Sequence, residues 1–111
     1  MEFDEYQRKT KETAIYPRDN PMTALSYATL GLVGESGEIA NKVKKIIRDQ
    51  KGDINQESKD NLGKELGDVL WYVSALATEL GVSLSSVASD NLDKLFSRKE
   101  RGTLSGSGDN R

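Results

Sequence analysis

Apolar residues recur along this chain at spacings of three, four and seven, and no stretch alternates with the period of two that a strand would show. Phe3, Tyr6, Thr10 and Ala14 mark a short first helix over residues 3–14. Asn20 followed by Pro21 reads as an N-cap with proline at the first helical position. From there Leu25, Ala28, Leu32, Ile39, Val43, Ile46 and Ile47 continue one stripe through a long helix over 21–48. A polar connector from Asp49 to Asn55 leads into a third helix over 56–80, carried by Leu62, Leu66, Val69, Val73, Leu76 and Leu80 and stopped by Gly81. Ser83 caps a fourth helix over 84–101, and Gly102 ends it. The pattern predicts an all-α chain, a small antiparallel four-helix bundle spanning residues 1–102. The last stretch, 103–111, is a polar tail containing Gly and Ser, and its composition predicts flexibility.

The third helix is apolar on more than one stripe. Val69-Leu-Trp-Tyr-Val73 leaves almost no polar side, and a helix of that kind is normally covered from several directions. With 111 residues and an apolar fraction of 35%, the chain has little core of its own to supply that cover. A second subunit is therefore expected.

Composition narrows the chemistry. The chain has no cysteine and no histidine. Disulfides, thiolate zinc sites, cysteine nucleophiles, Ser-His-Asp triads and two-histidine iron centres are all excluded. A redox iron site in a helical bundle would want Glu-x-x-His pairs, which are likewise absent. Sixteen basic residues against 18 acidic ones give a net charge of −2, which speaks against stable nucleic-acid binding. No apolar run is long enough for a membrane span and the start has no signal-peptide pattern, so a cytoplasmic protein is expected.

Two acidic pairs stand out, Glu35-Ser-Gly-Glu38 and Glu65-Leu-Gly-Asp68. Residues three apart share a helix face, so each pair aims two carboxylates the same way. Single matches of this kind are common in charged helices. Here both pairs lie among apolar neighbours, and each stands about nine or ten residues, or about 15 Å, from the loop that joins their helices. An antiparallel hairpin then levels all four. Four carboxylates without histidine suit a hard, oxygen-seeking ion, Mg²⁺ or Mn²⁺. Gly31, Gly34, Gly37, Gly63 and Gly67 fall inside the same helices, and their missing side chains predict a close approach of the two helices around the acids. Lys42 and Lys45 follow Glu35 and Glu38 by seven residues, on nearly the same stripe, within reach of phosphates. Tyr72 continues the Glu65–Asp68 stripe as a platform for a base, whereas Trp71 points to core or interface. On the fourth helix Asn91, Lys94 and Arg98 share a face that suits a phosphate clamp.

Leu30-Gly-Leu-Val-Gly-Glu-Ser-Gly-Glu38, the following Val43-Lys-Lys45, and Lys64-Glu-Leu-Gly-Asp-Val-Leu-Trp-Tyr72 resemble the MazG-like nucleoside triphosphate pyrophosphohydrolases. The family signature is E-x-x-E, a gap, then E-x-x-D. Asn91-Leu-Asp-Lys-Leu95 with Arg98, and the early Glu5-Tyr-Gln7 and Thr13-Ala-Ile-Tyr-Pro17, extend the likeness over nearly the whole chain. The resemblance implies hydrolysis of an NTP or dNTP to the monophosphate and pyrophosphate, with Glu35, Glu38, Glu65 and Asp68 as Mg²⁺ ligands. It also implies a helical bundle that forms a homodimer or a dimer of dimers. The rival reading, a non-catalytic helical oligomer or interaction module, predicts that the four acids diverge into solvent.

Overall fold

A computed structural model describes residues 1–111 and contains four α-helices and no strand. These are α1 (Phe3–Thr10), α2 (Pro21–Gln50), α3 (Gln56–Glu79) and α4 (Leu84–Glu100), with a 3₁₀ turn at Lys11–Thr13. The all-α expectation holds, and the predicted caps account for most of the boundaries. Asn20 Oδ1 accepts from the backbone N–H of Met22 at 2.9 Å and of Thr23 at 3.3 Å, ahead of Pro21. Asn55 Oδ1 accepts from Ser58 N–H at 2.8 Å, and Ser83 Oγ from Ser86 N–H at 3.0 Å. Gly81 and Gly102 adopt the left-handed conformation that turns the chain out of α3 and α4, with φ of 72° and 69°. The first helix is shorter than expected, because the chain tightens into the 3₁₀ turn before Ala14. No helix is long and apolar enough to cross a membrane.

The α2–α3 hairpin is the main body, and α1 packs across α3. The core is small: Tyr16, Ala24, Ala28 and Ala75, with Ala14, Trp71 and Leu76 against them. Tyr16 reaches it from the strap between the 3₁₀ turn and α2. Its ring stacks on Tyr27 at 5.1 Å and meets Trp71 edge-on at 6.2 Å. Its hydroxyl donates to Glu79 Oε2 at 2.6 Å, and Arg18 Nε closes the group at 3.0 Å from the same oxygen.

Polar side chains tie α1 to the rest. Thr10 Oγ1 and Ser74 Oγ, both buried, share a 2.8 Å hydrogen bond. Gln7, also buried, donates from Nε2 to Thr78 Oγ1 at 3.2 Å and to the Val82 carbonyl at 2.9 Å. Its Oε1 accepts from the Leu84 N–H at 2.8 Å, so one amide serves the end of α3, the turn and the start of α4. Beyond this anchorage α4 runs free: residues 89–97 are exposed without a break, Leu92, Leu95 and Phe96 among them. The radius of gyration is 17.0 Å, against about 13 Å for a compact chain of this length.

The tail departs from the flexible segment that its composition predicts. Arg111 donates to the carbonyls of Thr103 at 3.2 Å, Leu104 at 3.0 Å and Gly108 at 2.7 Å, curling 103–111 around one guanidinium. Gly106 and Gly108 supply the positive φ that this curl requires, 106° and 89°. Arg98 donates to the Asp109 carbonyl at 2.7 Å, which holds the curl against α4.

Two substitutions test this frame. Gln7→Ala orphans a backbone donor and acceptor at once and should cost about 2 kcal/mol in urea unfolding. Tyr16→Phe should cost about 1.5 kcal/mol. The Tyr16 phenol is raised to about 12 by burial first, then by its bond to Glu79 and that carboxylate's charge. The unfolded phenol titrates near 10.0, so the wild-type contribution is complete below that pH and is lost as pH rises toward about 12. The stability gap between wild type and Tyr16→Phe should therefore narrow across that interval; a constant gap would remove the phenol from the account.

Candidate functional site

The hairpin register sets Glu35 of α2 against Glu65 and Asp68 of α3. One carboxylate oxygen from each lies within 4.8 Å of the others. Glu35 and Glu65 are half-buried and Asp68 is exposed. Three of the four acids singled out by spacing thus converge from two helices. Glu38 is exposed and stands outside this group of three. Its charge still reaches Glu35, whose carboxyl is pushed above its ordinary range by burial first and then by Asp68, Glu65 and Glu38. One cation meets the group: Lys42 Nζ lies 3.6 Å from Glu65 Oε1.

Beside the acids lies a cavity of about 350 Å³ lined by Thr13, Glu35, Asp68, Trp71 and Tyr72. Its wall is aromatic. Trp71 and Tyr72 meet edge-on at 5.0 Å, and Trp71 Nε1 donates to Thr13 Oγ1 at 2.8 Å. Tyr72 lies against the α2 backbone at Gly31, where a Cβ would run into the ring. Burial raises the Tyr72 phenol, followed by the neighbouring Tyr27 hydroxyl and the charges of Glu35 and Asp68. Tyr6 of α1 is raised by burial and then by Asp68, which places α1 in the same electrostatic field.

The glycine expectation needs correction. Gly34, Gly37, Gly63 and Gly67 have no neighbour within 4 Å of where a Cβ would sit, so they do not bring the helices together at the acids. Gly31 alone of the five is a close-approach position, and what approaches it is a tyrosine ring. Thr13 and Tyr6 were not singled out as site residues, because they lie on α1 and its 3₁₀ turn, and spacing within one helix says nothing of what another lays beside it. Trp71, assigned to core or interface, touches the core and lines the cavity as well.

The cations fall into two places. Lys42 and Lys45 line a second cavity, of about 160 Å³, between the end of α2 and the start of α3. Asn91 and Lys94 are exposed on the free part of α4, and no α4 residue lines either cavity. Arg98 is buried beneath the tail, and its Nε has no hydrogen-bond partner.

Oxygen donors alone, three of them within 4.8 Å, suit an ion such as Mg²⁺ or Mn²⁺. Half-buried like charges repel, and Lys42 answers only Glu65. Glu35, Glu65 and Asp68 are the residues that would hold it.

The MazG nucleotide pyrophosphohydrolase domain matches residues 24–103, a span that contains all four acids. The chain is 58% identical over 114 residues to the Gene 37 protein of Mycobacterium phage L5, covering 100% of each chain. It is 38% identical over 74 residues to the uncharacterized protein YvdC of Bacillus subtilis (strain 168), covering 62% of this chain and 70% of that one. No solved structure matches. With the matched domain running from the first turn of α2 to the end of α4, the chain belongs to the MazG nucleotide pyrophosphohydrolase family.

Proposed function

We propose that this protein hydrolyses a nucleoside or deoxynucleoside triphosphate to the monophosphate and pyrophosphate in a Mg²⁺-dependent reaction, with Mn²⁺ as a substitute. The observation that carries the reading is the meeting of Glu35, Glu65 and Asp68 beside an aromatic-walled cavity. A non-catalytic helical module gives no reason for like charges to gather.

The divalent ion, when bound, offsets the charge of the triphosphate and withdraws electrons from the α-phosphorus. The chain's residues do the rest. Tyr72, pinned across Gly31, offers its face to the base beside Trp71. Water attacks the α-phosphorus, forming one P–O bond. The bond from that phosphorus to the bridging oxygen breaks, and the electron pair leaves with pyrophosphate. Glu38, exposed and one turn from Glu35, is free to take the proton that the water gives up.

Assembly is part of the proposal. Leu30 and Val33 of α2, Leu66 and Leu70 of α3, and Leu92 and Phe96 of α4 are exposed in the single chain. Covering them in a homodimer or dimer of dimers removes this apolar surface from water. A neighbouring subunit would also give Asn91 and Lys94 a cleft to face. Arg98 would join as a phosphate contact once the tail releases it. The setting is the soluble nucleotide pool of the cytoplasm.

Incubation with a panel of NTPs and dNTPs should yield monophosphate and pyrophosphate with Mg²⁺, and nothing with a chelator. Diphosphate plus orthophosphate, or no turnover of any nucleotide, would overturn the reading. Asp68→Asn should abolish the metal-dependent reaction, and Glu38→Gln should lower kcat about 100-fold, both with unchanged helicity. Sedimentation equilibrium should return a multiple of the 12.2 kDa chain mass, and Leu30→Glu should shift it toward the monomer. A wild-type protein sedimenting at 12.2 kDa would refute assembly.

A further inference from the structure

The α2–α3 seam has an order along its length, with one cavity on each side of the acids. The aromatic cavity of Trp71 and Tyr72 comes first, then Glu35, Asp68 and Glu65, then Lys42, and last the cavity that Lys42 and Lys45 share with Asn61 and Ser58. Tyr72 lies about 6 Å of helix rise beyond Asp68 in one direction, and Asn61 about 6 Å before Glu65 in the other. A nucleoside triphosphate has the same order of chemistry: a flat apolar base, an α-phosphate where the ion is needed, then two phosphates that carry most of the charge.

The second cavity suits those two phosphates. Lys42 and Lys45 bring two positive charges to a cavity that also offers the Asn61 amide and the buried Ser58 hydroxyl. Asp49 lines it too, but its carboxylate is held by Arg48, with Nε 2.7 Å and the terminal nitrogen 2.8 Å from its two oxygens. Its charge is therefore answered from outside the cavity. Lys42 belongs to both regions. It lines the cavity and pairs with Glu65 at 3.6 Å, within the acid group itself. Were Glu65 to hold a divalent ion, Lys42, whose side chain is 39% exposed while it pairs with Glu65, would be free to turn toward the cavity that it already lines.

We infer that the cavity at the α2–α3 turn is the subsite for the departing pyrophosphate, and that Lys42 crosses to it from Glu65 when the metal binds. This rests on the pyrophosphohydrolase reading and deepens it by giving the substrate a direction: base toward Trp71 and Tyr72, leaving group toward Lys45 and the α2–α3 loop.

The test is binding rather than turnover. Inorganic pyrophosphate with Mg²⁺ is titrated calorimetrically into wild type, Lys42→Met and Lys45→Met, with nucleoside monophosphate titrated in parallel. Each variant should weaken pyrophosphate by about tenfold or more, as loss of one charge-assisted contact implies, and leave the monophosphate within about twofold. Mn²⁺ titration followed by electron paramagnetic resonance, without nucleotide, should show Lys42→Met binding the ion more tightly than wild type, and Lys45→Met binding it equally. Circular dichroism checks that both variants fold, Lys42 being half-buried and Lys45 exposed. Pyrophosphate affinity unchanged in both variants, in a protein whose wild type releases pyrophosphate from a triphosphate, overturns the subsite and leaves the activity standing. Mn²⁺ affinity unchanged in Lys42→Met overturns the crossing of Lys42. Failure of the parent reading shows elsewhere, as a wild type that releases no pyrophosphate from any nucleotide.

Discussion

Repulsion at the α2–α3 seam is the constraint around which this protein is organised. A hairpin of two long helices could have turned its acidic faces outward and left them solvated. Instead the register brings Glu35 against Glu65 and Asp68, half-buries two of the three, and offers a single ammonium, that of Lys42, in return. Burial first, and then the charges of Asp68, Glu65 and Glu38, push the Glu35 carboxyl above its ordinary range. A fold tolerates such a cluster when the folded state gains a tightly held cation that the unfolded chain cannot bind. On the proposed reading, a divalent cation would supply the charge that the hairpin itself provides only through Lys42.

What stabilises the hairpin meanwhile is modest. The buried apolar cluster is built largely from alanines and one tyrosine. Much of the cohesion around it is polar: the Thr10–Ser74 bond, the Gln7 amide, and the Tyr16–Glu79–Arg18 group. Small side chains let helices approach, but they remove little apolar surface from water. The larger apolar side chains, Leu30, Val33, Leu66 and Phe96 among them, lie on the outside. The single chain therefore leaves much of its bulky apolar surface in water, which is the surface that the proposed assembly would cover.

The helices and their caps were legible because they are local. Asn20-Pro21, Asn55, Ser83, Gly81 and Gly102 each act within one turn, and period and capping chemistry are written in adjacent residues. The three-acid group was legible for a related reason: with one short loop between two helices, counting residues from the loop fixes the height of each side chain. What escaped was non-local. Nothing in the spacing of Gln7 foretells that its amide meets three groups from the α3–α4 region, or that Thr13 and Trp71 share a hydrogen bond beside the acids. The glycines misled because a missing side chain permits close approach without causing it; only at Gly31 did another group use the space. In the tail, composition counted small polar residues and missed one guanidinium with three carbonyls around it.

The Gln7 amide has a mechanical corollary. Because it grips Thr78, Val82 and Leu84 together, the seating of α1 helps to set the pitch of α4, alongside the turn from α3. The Thr10–Ser74 bond seats α1 in turn, one helical turn along. The first ten residues therefore work as the pivot of a lever whose long arm is the exposed half of α4. A displacement of about 1 Å at Gln7 would be multiplied several-fold by the roughly 20 Å from Leu84 to Arg98. An event that loosens α1 would thus be felt most at the far end of the chain, in the direction the arm points and in what it can reach.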